Sequence, residues 1–163
     1  MRVLLGGVTL LMLIAAGPAV SWKRFADAHG STMEVPVSLV QPARGNDGLL
    51  FKGRDGRSRI SLNTTTEERE GFPGNDPEGD MALSRSDCDS WPPAYKVVRS
   101  RLAAWSCKLK GKVTYYLAKY VRGGNTTLRV TYPAAQSAVW NPVVAHIAAS
   151  LTQTNRSGGR YAP

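Results

Sequence analysis

The chain reads as an α+β protein: an antiparallel sheet made of a strand, a hairpin and a three-strand meander, with a C-terminal helix packed on it, αβα-sandwich-like. Three features predict it. Apolar and polar residues alternate over 105–109, 113–117 and 128–132, the period of half-buried strands. Trp140, Val143, Val144, Ile147, Ala148 and Leu151 recur at helical spacing and form one apolar stripe. Asp55-Gly56 separates two short β-rich runs and is a favoured hairpin turn, because glycine tolerates positive φ.

The N-terminus sets the compartment. Met1-Arg2 is a short positive start, Val3 to Ala16 is almost wholly apolar, and Gly17-Pro18 ends the run before the small residues around Ser21. About fourteen apolar residues are too few to span a bilayer, which needs ~20. The pattern is that of an export signal cleaved near Ser21, with residues 22–152 forming a single α+β domain and 153–163 a flexible basic tail. The expected location is periplasmic or secreted, with no transmembrane segment in the mature form. Cys88 and Cys107 then read as one disulfide of an oxidising compartment rather than a redox or metal pair, since no Cys-x-x-Cys occurs.

Reading onward, Lys23 to His29 is short and mixed and suggests one helical turn. Thr32 to Val40 alternates through Met33, Val35, Val37 and Leu39 as a strand, and Pro36 makes it an edge candidate. Residues 41–48 read as a polar loop. Leu49 to Lys52 and Arg57 to Asn63 are the arms of the Asp55-Gly56 hairpin, with Ile60 and Leu62 inward. Thr66 could cap a short helix over Glu67, Glu68 and Glu70. From there to Pro93, turn formers and acids predict a long loop with a helical turn near Met81 to Ser84, pinned by Cys88.

In the meander, a three-residue loop Lys110-Gly111-Lys112 would pair Leu109 with Val113, Cys107 with Tyr115 and Trp105 with Leu117. Lys119 falls on the apolar parity, so the strand frays there or the lysine stem snorkels. Gly123-Gly124 marks the next turn. In the last helix Asn141 is the expected cap and Pro142 the first helical residue.

The order of these elements resembles the PsbP-like αβα sandwich. The resemblance is carried by Asn46-Asp47-Gly48-Leu49-Leu50-Phe51, Asp55-Gly56, Leu128-Arg129-Val130-Thr131-Tyr132-Pro133 and Val143 to Leu151, and extends over most of residues 30–152. It is strongest toward small exported bacterial proteins with this fold. It implies a binding or accessory module, as in photosystem extrinsic subunits and a Ran-binding import factor, and no family binding residue has a counterpart in this chain.

The net charge is +9, and +8 without Arg2. Residues 22–89 carry twelve acidic and nine basic side chains, whereas 90–163 carry eleven basic ones and no Asp or Glu. This asymmetry favours an acidic envelope component, whether anionic lipid, polymer or protein; a generally basic solvated surface explains it equally well. Export argues against nucleic acid. The sharpest candidate face is the polar parity of the meander, Lys108, Tyr116, Tyr120 and Arg129 with Arg99 and Arg101 nearby, where cations and tyrosines interleave. Otherwise a helix or loop from 64–93 covers it.

Catalytic signals are sparse, with no Gly-x-Ser-x-Gly, phosphate-cradling glycine loop or His-Glu-x-x-His. No cofactor is expected. An enzyme, whether a small hydrolase or metal-dependent, would have to be built from His29, His146 and the acidic loop 76–89. Asp76, Glu78 and Asp80 alternate as in a calcium loop, yet Met81 stands where that loop needs its glycine. The expectation is therefore a non-enzymatic exported protein of the cell envelope.

Overall fold

The computed structural model describes residues 20–45, 48–66, 76–121 and 124–153. The export signal and the basic tail lie outside the described residues, apart from their innermost few positions, as do the glutamates of the proposed 66–70 helix.

Nine strands and two helices follow one another: β1 (Trp22–Ala26), β2 (Thr32–Pro36), β3 (Val40–Ala43), β4 (Leu49–Gly53), β5 (Arg59–Thr66), α1 (Pro77–Leu83), β6 (Tyr95–Arg99), β7 (Leu102–Leu109), β8 (Lys112–Val121), β9 (Gly124–Pro133) and α2 (Ser137–Ser150). Strands β3 to β9 form one antiparallel sheet in the order β3-β4-β5-β9-β8-β7-β6, and β1-β2 is a separate hairpin. Helix α2 and the β1-β2 hairpin cover one face. Helix α1, with the 3₁₀ turn Ser84–Asp87 that follows it, covers part of the other. The fold is thus α+β with an αβα layering.

The first face holds the main core, in which Met33, Val35, Phe51, Ile60, Leu62, Leu128 and Val130 meet Trp140, Val143, Val144 and Ile147 of α2. The helical stripe read from the sequence is the buried one. The helix nevertheless starts earlier than its predicted cap. Asn141 lies inside it and accepts a hydrogen bond from the Tyr132 hydroxyl at 2.8 Å, and Pro142 is internal rather than first. Tyr132 also stacks on Trp140, so packing against β9 outweighs the local cost of an internal proline. Lys119 snorkels: its ammonium donates to the Leu151 carbonyl at 2.5 Å, at the C-terminus of α2, and burial lowers its pKa.

Several local expectations are corrected. Residues 22–26 are a strand rather than a helical turn, because they pair along β2 from Trp22↔Pro36 to Ala26↔Thr32. The strand expected over 32–40 breaks at Pro36, where the Leu39 amide donates to the Pro36 carbonyl at 2.8 Å. Val40–Ala43, expected in a loop, is the edge strand β3. Thr66 ends β5 opposite Gly124, and the short helix expected after it lies outside the described residues. Helix α1 is capped by Asp76, whose carboxylate accepts from the Gly79 amide.

The largest correction is one residue of register. Lys110 and Gly111 have φ of 49° and 75°, so both central residues lie in the left-handed region, as a two-residue type I′ turn requires. Leu109 therefore faces Lys112, Cys107 faces Thr114, and Trp105 faces Tyr116. A one-residue shift turns every side chain to the opposite face. Trp105 and Cys107 leave the main core and join Ala103, Tyr116, Ala118, Tyr120 and Met81 in a second apolar cluster beneath α1. There Cys107 is bonded to Cys88.

Truncation of Ile147 to alanine should cost about 2–5 kcal/mol in denaturant unfolding, since the side chain is fully buried between helix and sheet. Gly111→Ala should cost about 1–2 kcal/mol, because a Cβ in the left-handed region is strained even where, as here, no neighbour obstructs it. Replacing both cysteines by serine should remove about 3 kcal/mol, and near-UV dichroism of the Trp105 environment should show the α1 layer loosening before the sheet unfolds.

Candidate anion-binding face

The second face of the sheet is divided. Over β6, β7 and β8 it is roofed by α1 and the 3₁₀ turn, held by the disulfide and by two buried tyrosines. The Tyr116 hydroxyl donates to Asp87 at 2.7 Å and the Tyr120 hydroxyl to Asp80 at 2.5 Å. Burial, reinforced by these carboxylates, pushes the Tyr116 phenol up to about 12 and raises that of Tyr120 as well. The indole of Trp105 stacks on Tyr116 at 4.9 Å between ring centroids. The acids Asp76, Asp80 and Asp87 thus cap a helix or anchor the roof.

The six residues expected to form one face are separated. Tyr116 and Tyr120 lie under the roof, so their rings offer no platform to a ligand. Lys108 pairs with Val113 and projects to the opposite face, exposed. Arg99 and Arg101 lie at the far β6-β7 end. Arg129 is the exception. Its guanidinium sits over the Tyr116 ring at 5.2 Å and 3.8 Å from Asp87, at the edge of the roof. That half-exposed ion pair contributes little, and stacking on Tyr116 aims the guanidinium over the uncovered half of the sheet.

That uncovered half, over β4, β5, β9 and the start of β8, forms a groove of about 630 Å³. Lys52, Arg57, Arg59, Lys112 and Arg129 line it together with Ser61 and Thr131, and among the described residues no carboxylate does. Strand register accounts for the clustering. Lys52 faces Arg59, Arg59 faces Thr131, and Ser61 faces Arg129, which places alternate residues of three strands on one surface. The nearby Asp55 is committed elsewhere. It accepts from the Arg57 and Ser58 amides at 2.9 and 2.8 Å and from the Ser58 hydroxyl at 2.7 Å. Burial alone would raise its pKa, but these bonds outweigh burial and hold it below the usual value. Among the described residues, Lys52, Arg57, Arg59 and Lys112 make no ion pair.

Charge counting along the chain missed this site. Lys52, Arg57 and Arg59 belong to the segment with an acidic excess, and only Lys112 and Arg129 to the cationic half. The legible signal was the polar parity of Lys52 and Arg59 on the two hairpin arms; their alignment with β9 was not.

The residues of the enzymatic alternative are dispersed. His146, on α2, meets Glu34 at 2.6 Å and stacks on Trp22 at 3.8 Å, while α1 and its acids lie across the sheet. Hydrogen bonds from His146 and then Arg24 keep the Glu34 carboxyl below its ordinary pKa. His29 lies at the β1-β2 turn, its amide bonded to Asp27. Among the described residues no three His, Cys, Asp or Glu side chains are grouped as metal ligands would be.

No family model matches the chain, and no curated protein matches it. Among solved structures it is similar in fold to cyanobacterial PsbP (CyanoP) from Synechocystis sp. PCC 6803, with 13% identity, a TM-score of 0.47, and coverage of 87% of this chain and 99% of that one. The likeness concerns fold.

The Tyr116 pKa gives a pH prediction with a definite sign. Its ordinary value of 10.0 is raised to about 12 on folding, so its contribution to stability is complete below pH 10 and is lost as pH rises toward about 12. Urea midpoints should fall across that window, and Tyr116→Phe, costing about 1 kcal/mol at neutral pH, should lessen the alkaline fall.

Proposed function

We propose that this is an exported, non-enzymatic binding or accessory protein of the cell envelope that engages an acidic component through the open cationic groove. The observation that carries the reading is the groove itself: five basic side chains converge on a concave surface that, among the described residues, no carboxylate lines. Lys52 and Arg59 are direct cross-strand neighbours, an arrangement that costs stability through like-charge repulsion. A bound anion relieves that repulsion, so binding gains both attraction and relief of strain in the free protein. The apolar run at residues 3–16 and the Cys88–Cys107 disulfide support an oxidising, extracytoplasmic location. Among the described residues no helix is long and apolar enough to cross a membrane. The separation of His146 from the acidic segment favours binding over hydrolysis.

Tagged protein should co-purify with envelope material at about 50 mM salt and be released well before about 200 mM, as expected of several simultaneous charge contacts. The double variant Lys52→Glu/Arg129→Glu should lose retention. Lys23→Glu/Arg99→Glu makes the same change in net charge away from the groove and should keep it. Equal loss in both variants would reduce the interaction to bulk charge and overturn the assignment of the groove.

A further inference from the structure

Resting on the reading of the groove as an anion site, we infer that its ligand is a linear phosphate-bearing polymer, held by several successive phosphates at once. Four of the five cations belong to the adjacent strands β4, β5, β9 and β8, and Arg57 to the turn between β4 and β5. Neighbouring strands lie about 4.8 Å apart, so their backbones span about 14 Å. Hydrogen bonds reach only about 3 Å, and the like-charged heads repel one another, so a single small anion engages only some of them. An extended chain of anions reaches more of them in turn: Lys52 and Arg59 form one cross-strand row, with Arg129 two residues to one side of it along the strands and Lys112 two residues to the other.

The donors also favour phosphate over carboxylate. Ser61 and Thr131 add hydroxyls between the cations, from β5 and β9. Donors approaching from four strands and the 54–58 turn do not share a plane. A tetrahedral phosphate presents oxygens in several directions, whereas a carboxylate presents two in one plane. Arg57, Arg59 and Arg129 each offer a planar fork able to take two oxygens.

The surroundings argue against other occupants. Among the described residues no aromatic side chain lines the groove, so stacking on sugar rings or nucleobases is not what recognises the ligand. The exposed large apolar side chains, Leu83, Tyr95 and Val139, lie on α1, β6 and α2. Leu50, the apolar residue of the groove, is half-buried in the sheet. Among the described residues, nothing beside the cations can therefore insert into a bilayer. The ligand is read by charge, spacing and oxygen geometry.

The test is titration of the full mature chain with four probes, compared at matched ionic strength over a series of salt concentrations: long-chain inorganic polyphosphate, orthophosphate, poly-glutamate, and phosphatidylglycerol vesicles. Polyphosphate should bind at least ~100-fold more tightly than orthophosphate, with log Kd rising steeply with log salt. Arg59→Glu should weaken it at least ~10-fold and lower the salt slope by about one or more, while Lys23→Glu, with the same change in charge, should not. Arg59 is exposed, and unchanged thermal unfolding of the variant would show that the fold is retained. Equal or tighter groove-dependent binding of poly-glutamate or of the vesicles would overturn the phosphate-polymer inference and leave the anion-site reading standing. Absence of groove-dependent binding by all four probes would overturn both.

Discussion

The two-residue turn at Lys110-Gly111 is the constraint on which the second face of the molecule depends. With both residues in the left-handed region, β7 and β8 are locked in the register that sets Trp105 against Tyr116 and Cys107 against Thr114. One residue more in the turn would send Trp105 and Cys107 into the main core and leave Tyr116 without its indole neighbour. The disulfide, the second apolar cluster and the seat of α1 all follow from that choice. A lysine at positive φ is a local penalty, which the apolar area gathered beneath α1 offsets.

The groove follows from the same division of labour. Because Asp80 and Asp87 reach down to buried tyrosines, α1 stays over β6, β7 and β8 and does not extend across β9. Among the described residues, nothing consequently covers the cations of β4, β5 and β9. Arg129 stands at the boundary, with the ring of Tyr116 beneath it and the groove before it. Tyr116 of the meander thus serves the cationic face by supporting Arg129 from below.

On the other face, the β1-β2 hairpin is held to the sheet by a polar latch. The Asp27 carboxylate accepts from the Ser31 amide at 2.8 Å and from the Thr64 hydroxyl at 2.5 Å, and the Ser31 hydroxyl lies 3.0 Å from that of Thr126. Ser31 and Thr126 are fully buried, so these partners satisfy groups that would otherwise be costly to bury. The latch joins residues far apart in sequence, and side-chain patterning does not announce it. The same is true of His146, whose contacts with Glu34 and Trp22 tie α2 to the hairpin and give it a structural role.

By itself the sequence determined the class of fold, the β4-β5 hairpin, the alternation within β7, β8 and β9, and the stripe of α2. All of these are local periodicities, set by which side chains can face a common core. Tertiary structure decided which face each alternating set takes, because a strand has two faces and only the turn and its partners break the tie. It also decided where charges converge. Lys52, Arg59, Arg129 and Lys112 are scattered along the chain and become one surface only when β4, β5, β9 and β8 lie side by side. Long-range strand order is set by how the whole apolar surface closes, and no local window contains that information.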